Sequence, residues 1–264
     1  MAAYSRLICK RKFRLIYTKH NSIPVQGCLS RWRFLRINHA AIFVSRSIFR
    51  SIGFPVKARN VYIVRNGVDT QRWLPPQRPT GGTVIRLLSI AGTSQYKGWH
   101  YLIAALKLLP ETTRARFSVV IAGHLPSAEL LQQLCHGDYL PQQVRFSGFL
   151  SQPERAVTDA DIGFVLSDSI ETISFACREM MSAGLPVIVS DFGGLAENIT
   201  EAQDGWVLPV RDVNALAGLL QRISRMQPVE LDAMKQQARR KAEDEFDVGR
   251  MRDQTHQIYQ HLIR

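Results

Sequence analysis

Short apolar runs recur along the chain and alternate with longer segments in which apolar residues repeat at helical spacing. The runs are rich in Val, Ile, Leu and Phe, which predicts buried parallel strands. These predicted strands lie at 13–18, 40–44, 61–64, 85–90, 117–122, 144–149, 161–166, 183–188 and 205–208. The periodic segments predict helices at 28–38, 99–109, 213–223 and 231–264. Strands that alternate with helices predict an α/β fold with parallel sheets.

A break in the apolar pattern divides the chain. Consecutive prolines at 75–76 and glycines at 81–82 support neither a strand ladder nor a helix, so residues 75–84 are predicted to be a linker. The predicted domains are then 1–74 and 85–245, followed by a final helical segment at 246–264.

The stretch 167–197 carries the strongest signal for chemistry. Glu171 is expected in the loop after the strand at 161–166, at the strand end where ligands bind in open parallel sheets. Glu179 follows eight steps later, about 12 Å along a helix, so the two carboxylates could hold different parts of one ligand. The amides of Ile173, Ser174 and Phe175 would form a helix N-terminus suited to phosphate. The alternative is a pair of solvated surface glutamates.

The same stretch resembles the donor-site signature of retaining glycosyltransferases of family 4. The resemblance rests on the glutamate pair, the segment 183–188, and the later Gly193, Gly194 and Glu197. It implies the GT-B fold, with a complete C-terminal Rossmann-like donor domain and a partial N-terminal Rossmann-like domain. In that family Glu171 would hold the donor sugar and Glu179 the ribose hydroxyls.

Two further loops match the family less closely. The loop 92–98 begins at Gly92 and ends with Lys97-Gly98, and the resemblance implies that Lys97 meets the donor diphosphate. Family members usually carry an arginine where this chain has Thr93. The segment 144–149, which includes Gly148, resembles the strand and loop that hold the nucleotide base. A plain strand followed by a glycine turn would look the same.

The resemblance extends to the N-terminal part. His20 matches a histidine that lies beside the transferred sugar, and Val44-Ser45 matches the end of the next strand. A capping histidine, or one satisfied in a core, is the alternative for His20. The family also has a first strand and a glycine-rich loop before this point, so the N-terminal domain is expected to be truncated, with part of its sheet missing.

Charge is distributed unevenly along the 264 residues, whose formal net charge is +12. Residues 1–60 contain thirteen Lys or Arg and no Asp or Glu, whereas the rest of the chain is close to neutral. This excess suits a phosphate-rich partner such as anionic lipid, a phosphorylated glycan or nucleic acid, or else it coats a solvated face. Nucleic acid is the least favoured, because no helix-turn-helix or zinc-finger spacing is present.

Other features of the composition narrow the class. The four cysteines are scattered without a Cys-x-x-Cys pair, which predicts reduced thiols. The sequence has no apolar run of about 20 residues and no secretory core before the basic run 10–12. A cytoplasmic protein, peripheral on the inner membrane, is expected. No cluster of Asp, Glu or His suggests a metal, and no cofactor is expected besides the sugar nucleotide as donor substrate.

Together these features predict a hexosyl- or heptosyl-type glycosyltransferase. It would move a sugar, with retention, from a nucleotide-diphosphate donor to a surface glycan or glycolipid such as a lipopolysaccharide core. The alternative is a truncated, catalytically silent protein that binds a nucleotide sugar.

Overall fold

The structure is a computed structural model that describes residues 14–37, 39–54, 60–75 and 82–263. The basic run 10–12, the start of the first predicted strand and most of the predicted linker, at 76–81, lie outside the described residues. The chain divides into two compact units. Unit 1 comprises Met1–Gly67 with Val248–Arg264, and unit 2 comprises Val68–Asp247.

Unit 1 contains a three-stranded parallel sheet in the order β1-β2-β3. The strands are β1 Ile16–Lys19, β2 Ala40–Phe43 and β3 Val61–Ile63. Helices α1, Cys28–Ile37, and α2, Arg46–Arg50, flank β2 in the chain. The four residues of β2 are all buried, as expected for a central strand of a covered parallel sheet.

Unit 2 contains a six-stranded parallel sheet in the order β6-β5-β4-β7-β8-β9. Its strands are β4 Ile85–Ser89, β5 Phe117–Ala122, β6 Val144–Gly148, β7 Ile162–Val165, β8 Val187–Ser190 and β9 Gly205–Leu208. Strand order reverses direction between β4 and β7. Loops that leave the carboxyl ends of two such strands diverge to opposite faces, which opens a crevice at that edge of the sheet.

Helices cover both faces of this sheet. They are α3 Trp99–Leu108, α4 Glu111–Arg114, α5 Ala128–Cys135, α6 Pro153–Val157, α7 Phe175–Ser182, α8 Val213–Ile223 and α9 Pro228–Glu245. One buried cluster includes side chains of α3, α5 and α8, and another includes those of α6, α7 and the second half of α9. The last helix, α10 at Val248–Ile263, belongs to unit 1.

Side-chain caps define several helix starts. Asp212 caps α8: its Oδ1 accepts a hydrogen bond from the Ala215 amide at 2.8 Å. Ser127 caps α5 in the same way, through a 3.2 Å bond from the Leu130 amide. Each cap satisfies one of the amides that a first helical turn leaves without a backbone partner.

The structure corrects one predicted element. The strand expected at 183–188 begins only at Val187, because Gly184 adopts a positive φ of 74° and makes a turn. The helical residues expected from 231 onward form two helices, the second of which lies within the predicted final segment 246–264. They separate at Phe246, whose side chain is fully buried and whose carbonyl accepts a 2.7 Å bond from the Val68 amide. Residues 68–74, predicted in the N-terminal domain, group with unit 2, where Val68 and Trp73 are part of the core.

Candidate active site

The Glu171 carboxylate lies at the carboxyl end of β7 and is only 8% exposed. Its Oε2 accepts hydrogen bonds from Lys97 Nζ at 2.8 Å and from Ser167 Oγ at 3.0 Å. Its Oε1 accepts one from the Thr172 amide at 3.1 Å. An ionised carboxylate only accepts hydrogen bonds, so three donors hold this group in a defined orientation.

Lys97 reaches Glu171 because two loops touch at the edge of the sheet. It ends the short 3-10 turn Gln95–Lys97, which connects β4 to α3. The following residue, Gly98, has a φ of 69°, and a Cβ there would collide with the carbonyl oxygen of Leu166 at the end of β7. Glycine therefore permits the contact that brings the lysine, 74 positions earlier in the chain, to the glutamate.

The start of α7 forms the next part of the site. Ser174 precedes the helix, and its side chain accepts a 3.4 Å bond from the Cys177 amide. Its backbone has φ 53° and ψ 105°, an unfavourable conformation for a residue with a Cβ. Ile173 and Ser174 are buried, whereas Phe175 is exposed. The first turn of α7 presents backbone N–H groups and the positive end of the helix dipole next to the Glu171 loop.

A buried polar chain supports this loop. Asn198 Nδ2 donates to the Ile173 carbonyl at 2.6 Å, and Asn198 Oδ1 accepts from Arg178 Nε at 2.8 Å. Arg178 is fully buried, with its guanidinium carbon 4.4 Å from the centre of the Phe246 ring. These residues were not predicted from the sequence, since nothing local marks their partners.

The glycine pair in the signature has a steric role. A Cβ on Gly193 would lie 2.5 Å from the Glu171 carbonyl oxygen, and one on Gly194 would collide with the Thr172 carbonyl oxygen. The turn after β8 therefore packs directly against the backbone of the Glu171 loop. Larger side chains would collide with that loop and displace it.

Asp168 fixes the other end of the loop. Its amide donates to the Tyr96 carbonyl at 2.9 Å, and its carboxylate accepts from Tyr101 Oη at 2.7 Å and Arg211 Nε at 3.0 Å. Burial acts to raise the pKa of Asp168, but the hydrogen bonds from Tyr101 and Arg211 outweigh it and the pKa is lowered. Burial and the bond to Asp168 raise the pKa of Tyr101 to about 12.

Glu179 lies in the second turn of α7 and is half-buried. Burial raises its pKa, the positive charge of Arg72 opposes the rise, and the negative charge of Glu154 adds to it. Arg72 Nη2 pairs with Glu154 Oε2 at 3.0 Å. Sequence reasoning missed Arg72, which is far from Glu179 in the chain.

A cavity of about 390 Å³ opens at the carboxyl ends of β4 and β5. Its lining includes Gly92, Gly123, His124 and Phe149, and the rings of His124 and Phe149 lie 5.0 Å apart. Gly148 ends β6, and its carbonyl accepts a 3.1 Å bond from the Gly123 amide. The predicted base-binding segment therefore borders a cavity large enough for a nucleobase.

The structure brings most of the predicted residues to one edge of unit 2. Lys97 contacts Glu171 directly, while Ile173, Ser174, Phe175 and Glu179 belong to the loop and helix that follow. His20 is exposed at the carboxyl end of β1 in unit 1, and its position beside the donor sugar stays a prediction. No group of three or more potential metal ligands occurs among the residues that the structure describes.

An α/β unit with a lysine, a glutamate and a helix N-terminus at the switch point of a parallel sheet has the architecture of the GT-B glycosyltransferases. Comparison with known proteins agrees with this class. The chain belongs to the family of glycosyl transferases group 1, whose model matches residues 75–241.

The individual relatives share about a third or less of their residues with this chain. The putative colanic acid biosynthesis glycosyltransferase WcaL of Escherichia coli K12 is 30% identical over 194 residues, which cover 71% of this chain and 48% of that protein. A glycosyltransferase structure from Rickettsia africae has a TM-score of 0.85 at 15% identity, covering 100% of this chain and 74% of the other. The Anabaena Alr3699/HepE structure in complex with UDP has a TM-score of 0.79 at 19% identity, covering 98% and 75%. The chain spans about half the length of the curated relatives it matches.

Proposed function

We propose that this chain binds a nucleoside diphosphate sugar in unit 2 and transfers the sugar to a glycan or glycolipid with retention. The contact between Lys97 and Glu171 carries the proposal, because it places a cation for a diphosphate beside a carboxylate for a sugar. The first turn of α7 adds backbone N–H groups on the same edge. The Anabaena structural neighbour was solved in complex with UDP, which supports a nucleotide as the ligand of this chain.

The reaction needs stabilisation of the leaving group more than it needs a strong base. As the bond between the anomeric carbon and the phosphate oxygen breaks, negative charge develops on the diphosphate. Lys97 and the α7 amides would stabilise that charge. Glu171 would hold the sugar hydroxyls and stabilise the positive charge that develops at the ring. With retention, the acceptor hydroxyl approaches from the leaving-group side, so the departing phosphate oxygen is the nearest group that can take its proton.

Glu179 would accept hydrogen bonds from the ribose hydroxyls, a task for its ionised form. The cavity lined by Gly92 and Phe149, next to Gly148 at the end of β6, would hold the base. His20 in unit 1 would lie beside the transferred sugar, and unit 1 would bind the acceptor.

The proposed acceptor class rests on the names of the relatives and on the excess of positive charge in residues 1–60. WcaL is named for colanic acid biosynthesis, so a surface polysaccharide, or a glycolipid such as a lipopolysaccharide core, is the proposed acceptor. Such acceptors are built at a membrane, and we place the chain in the cytoplasm at the inner face of that membrane. None of the helices in the described ranges is both long and apolar enough to span a bilayer.

A silent donor-binding protein is the second candidate. It is favoured by the placement of Lys97, Glu171 and Glu179, which all lie in unit 2, so donor binding does not depend on unit 1. Holding the acceptor and the donor together can be worth about 7 to 11 kcal/mol of barrier, and donor binding by unit 2 alone would not supply it. In this case the donor would bind and hydrolyse slowly, but transfer would be weak.

Radiolabelled UDP-sugars and GDP-sugars, incubated with the full chain and a lipopolysaccharide-core or exopolysaccharide acceptor, separate the two candidates. Acceptor labelling that is lost in Glu171→Ala and kept in Lys107→Ala supports the transferase. Donor binding without labelling supports the silent protein. Absence of binding by any nucleotide sugar would contradict both.

A further inference from the structure

The outer face of α1 carries two large apolar side chains exposed to solvent. Leu29 and Trp32 are 60% and 53% exposed. They stand three residues apart and so lie next to each other on one side of the helix. Ile23, in the segment that leads into α1, is also exposed. We call Leu29 and Trp32 the α1 face.

The opposite side of α1 already makes the packing contacts of unit 1. Phe34 is buried, and its ring centre lies 6.3 Å from that of Phe43 on β2 and 5.7 Å from that of Phe54. Two helix positions correspond to about 200° of rotation, so Trp32 points away from the sheet that Phe34 contacts. The α1 face is therefore not needed to attach the helix to its own sheet.

The charge around this face has one sign. Unit 1 contains seventeen Lys or Arg residues and a single acidic residue, Asp253. Unit 2 contains seventeen Lys or Arg residues and twenty-one acidic residues. The helix itself includes Arg31, Arg33 and Arg36 and no Asp or Glu. Unit 1 is thus strongly positive, at +16, and unit 2 is weakly negative, at −4.

We propose that the α1 face docks unit 1 on an anionic lipid bilayer. Tryptophan prefers the interface between the headgroups and the acyl chains, and leucine beside it buries aliphatic surface there. Each basic residue near an anionic leaflet adds roughly fivefold to partitioning at low salt. Nucleic acid would also attract the cations, but it offers no aliphatic environment for Leu29. The inference deepens the peripheral location in the proposed function and rests on it for the glycolipid acceptor.

The tryptophan distribution gives a direct test. Of the four tryptophans, Trp73, Trp99 and Trp206 are 4%, 0% and 6% exposed, so Trp32 dominates the response to solvent changes. We expect phosphatidylglycerol–phosphatidylcholine vesicles to shift the emission to the blue. Brominated lipid should quench it, and acrylamide should quench it less. All three changes should be absent in Trp32→Phe and in vesicles of phosphatidylcholine alone. They should reverse as salt rises from 0.1 to 1 M, where the screening length falls from about 10 to 3 Å.

Co-sedimentation with the same vesicles measures the contribution of the α1 face separately from the reporter. Leu29→Ser should weaken binding at least fivefold, while Leu108→Ser should leave it unchanged. Leu108 is the matched control, since it is 57% exposed on a helix of unit 2. Binding that leaves Trp32 emission unchanged, equal losses in both variants, or a larger shift with duplex DNA than with vesicles would overturn the inference. No donor is present, so failure here is distinct from failure of the transfer reaction.

Discussion

Replacing Lys97 by alanine tests the candidate site through one atom, its Nζ. This atom lies 2.8 Å from Glu171 Oε2, and the two side chains are 17% and 8% exposed. In the complex that we propose, the ammonium also donates to the donor diphosphate. A hydrogen bond to a charged group is worth about 1.5 to 3 kcal/mol.

The ion pair decides where in that range the loss should fall. In the free protein Lys97 already has a partner, so binding the diphosphate replaces or shares a contact rather than creating the first one. We therefore expect Lys97→Ala to weaken nucleoside diphosphate binding by a value near the lower end, about 1.5 to 2 kcal/mol. This corresponds to roughly a 10- to 30-fold rise in Kd.

The same variant should lower stability. Removing one partner of a fully buried pair costs about 3 to 5 kcal/mol, and exposed pairs are worth about 0.2 to 1 kcal/mol. Glu171 keeps its bonds from Ser167 and Thr172, so an intermediate loss of about 1 to 2 kcal/mol is expected. The more exposed pair of Lys107 and Asp138, 3.7 Å apart, gives the control. Lys107 also donates to the Cys135 carbonyl at 2.9 Å, so Lys107→Ala should cost about 1 kcal/mol or less.

Calorimetric titration with UDP and GDP measures the binding loss, and urea unfolding measures the stability loss. A double-mutant cycle with Glu171→Gln separates the pair from the individual residues. The reasoning fails if Lys97→Ala binds the same nucleotide within twofold of the native chain while its unfolding curve still shows a native fold.

Three further predictions concern the loop and the helix around Glu171. Ser174→Gly should raise the free energy of unfolding by about 1 kcal/mol, because relief of the strained φ of 53° outweighs the small cost of a glycine cap. Ser174→Ala should lower the free energy of unfolding. Urea unfolding that ranks the alanine variant above the glycine variant would refute this account of the strain. Gly194→Ala should reduce stability and donor binding together, because a Cβ there would collide with the Thr172 carbonyl oxygen. Gly218→Ala, which has open space in α8, should be neutral or stabilising, and equal thermal shifts in the two variants would contradict the steric account. Burial raises the pKa of Glu179, so donor affinity should fall as the pH drops through that raised pKa and the carboxylate gains a proton. Titration calorimetry should find a smaller pH dependence in Glu179→Gln, and identical profiles would remove Glu179 from the site.

Strand β7 could be predicted because all four of its residues are buried and it therefore reads as a continuous apolar run. The same signal fails at Ala183 and Leu185, which are fully buried but form a turn rather than a strand. Apolar character reports burial, and it identifies a strand only where the backbone is also extended. Positive φ at Gly184 is what ends the helix there, and this turn was not anticipated.

The site residues that follow the carboxyl ends of strands could be predicted from the sequence. Glu171 and Lys97 follow β7 and β4, and adjacent parallel strands place such residues together. Asn198 and Arg178 could not be predicted, because their roles depend on partners that lie 25 and 20 positions away in the chain. Arg178 also contradicts the simple expectation that a buried helix position is apolar.

Hydrogen exchange measured by mass spectrometry, with and without a nucleoside diphosphate sugar, tests the donor site most directly. Bound donor should slow exchange in peptides that cover 92–98 and 171–177, and Lys97→Ala should reduce that protection at the same donor concentration. The native chain should show no comparable protection in peptides from α1. Protection confined to unit 1, or no change in either region with UDP-sugars and GDP-sugars at millimolar concentration, would contradict the assignment of unit 2 as the donor-binding unit.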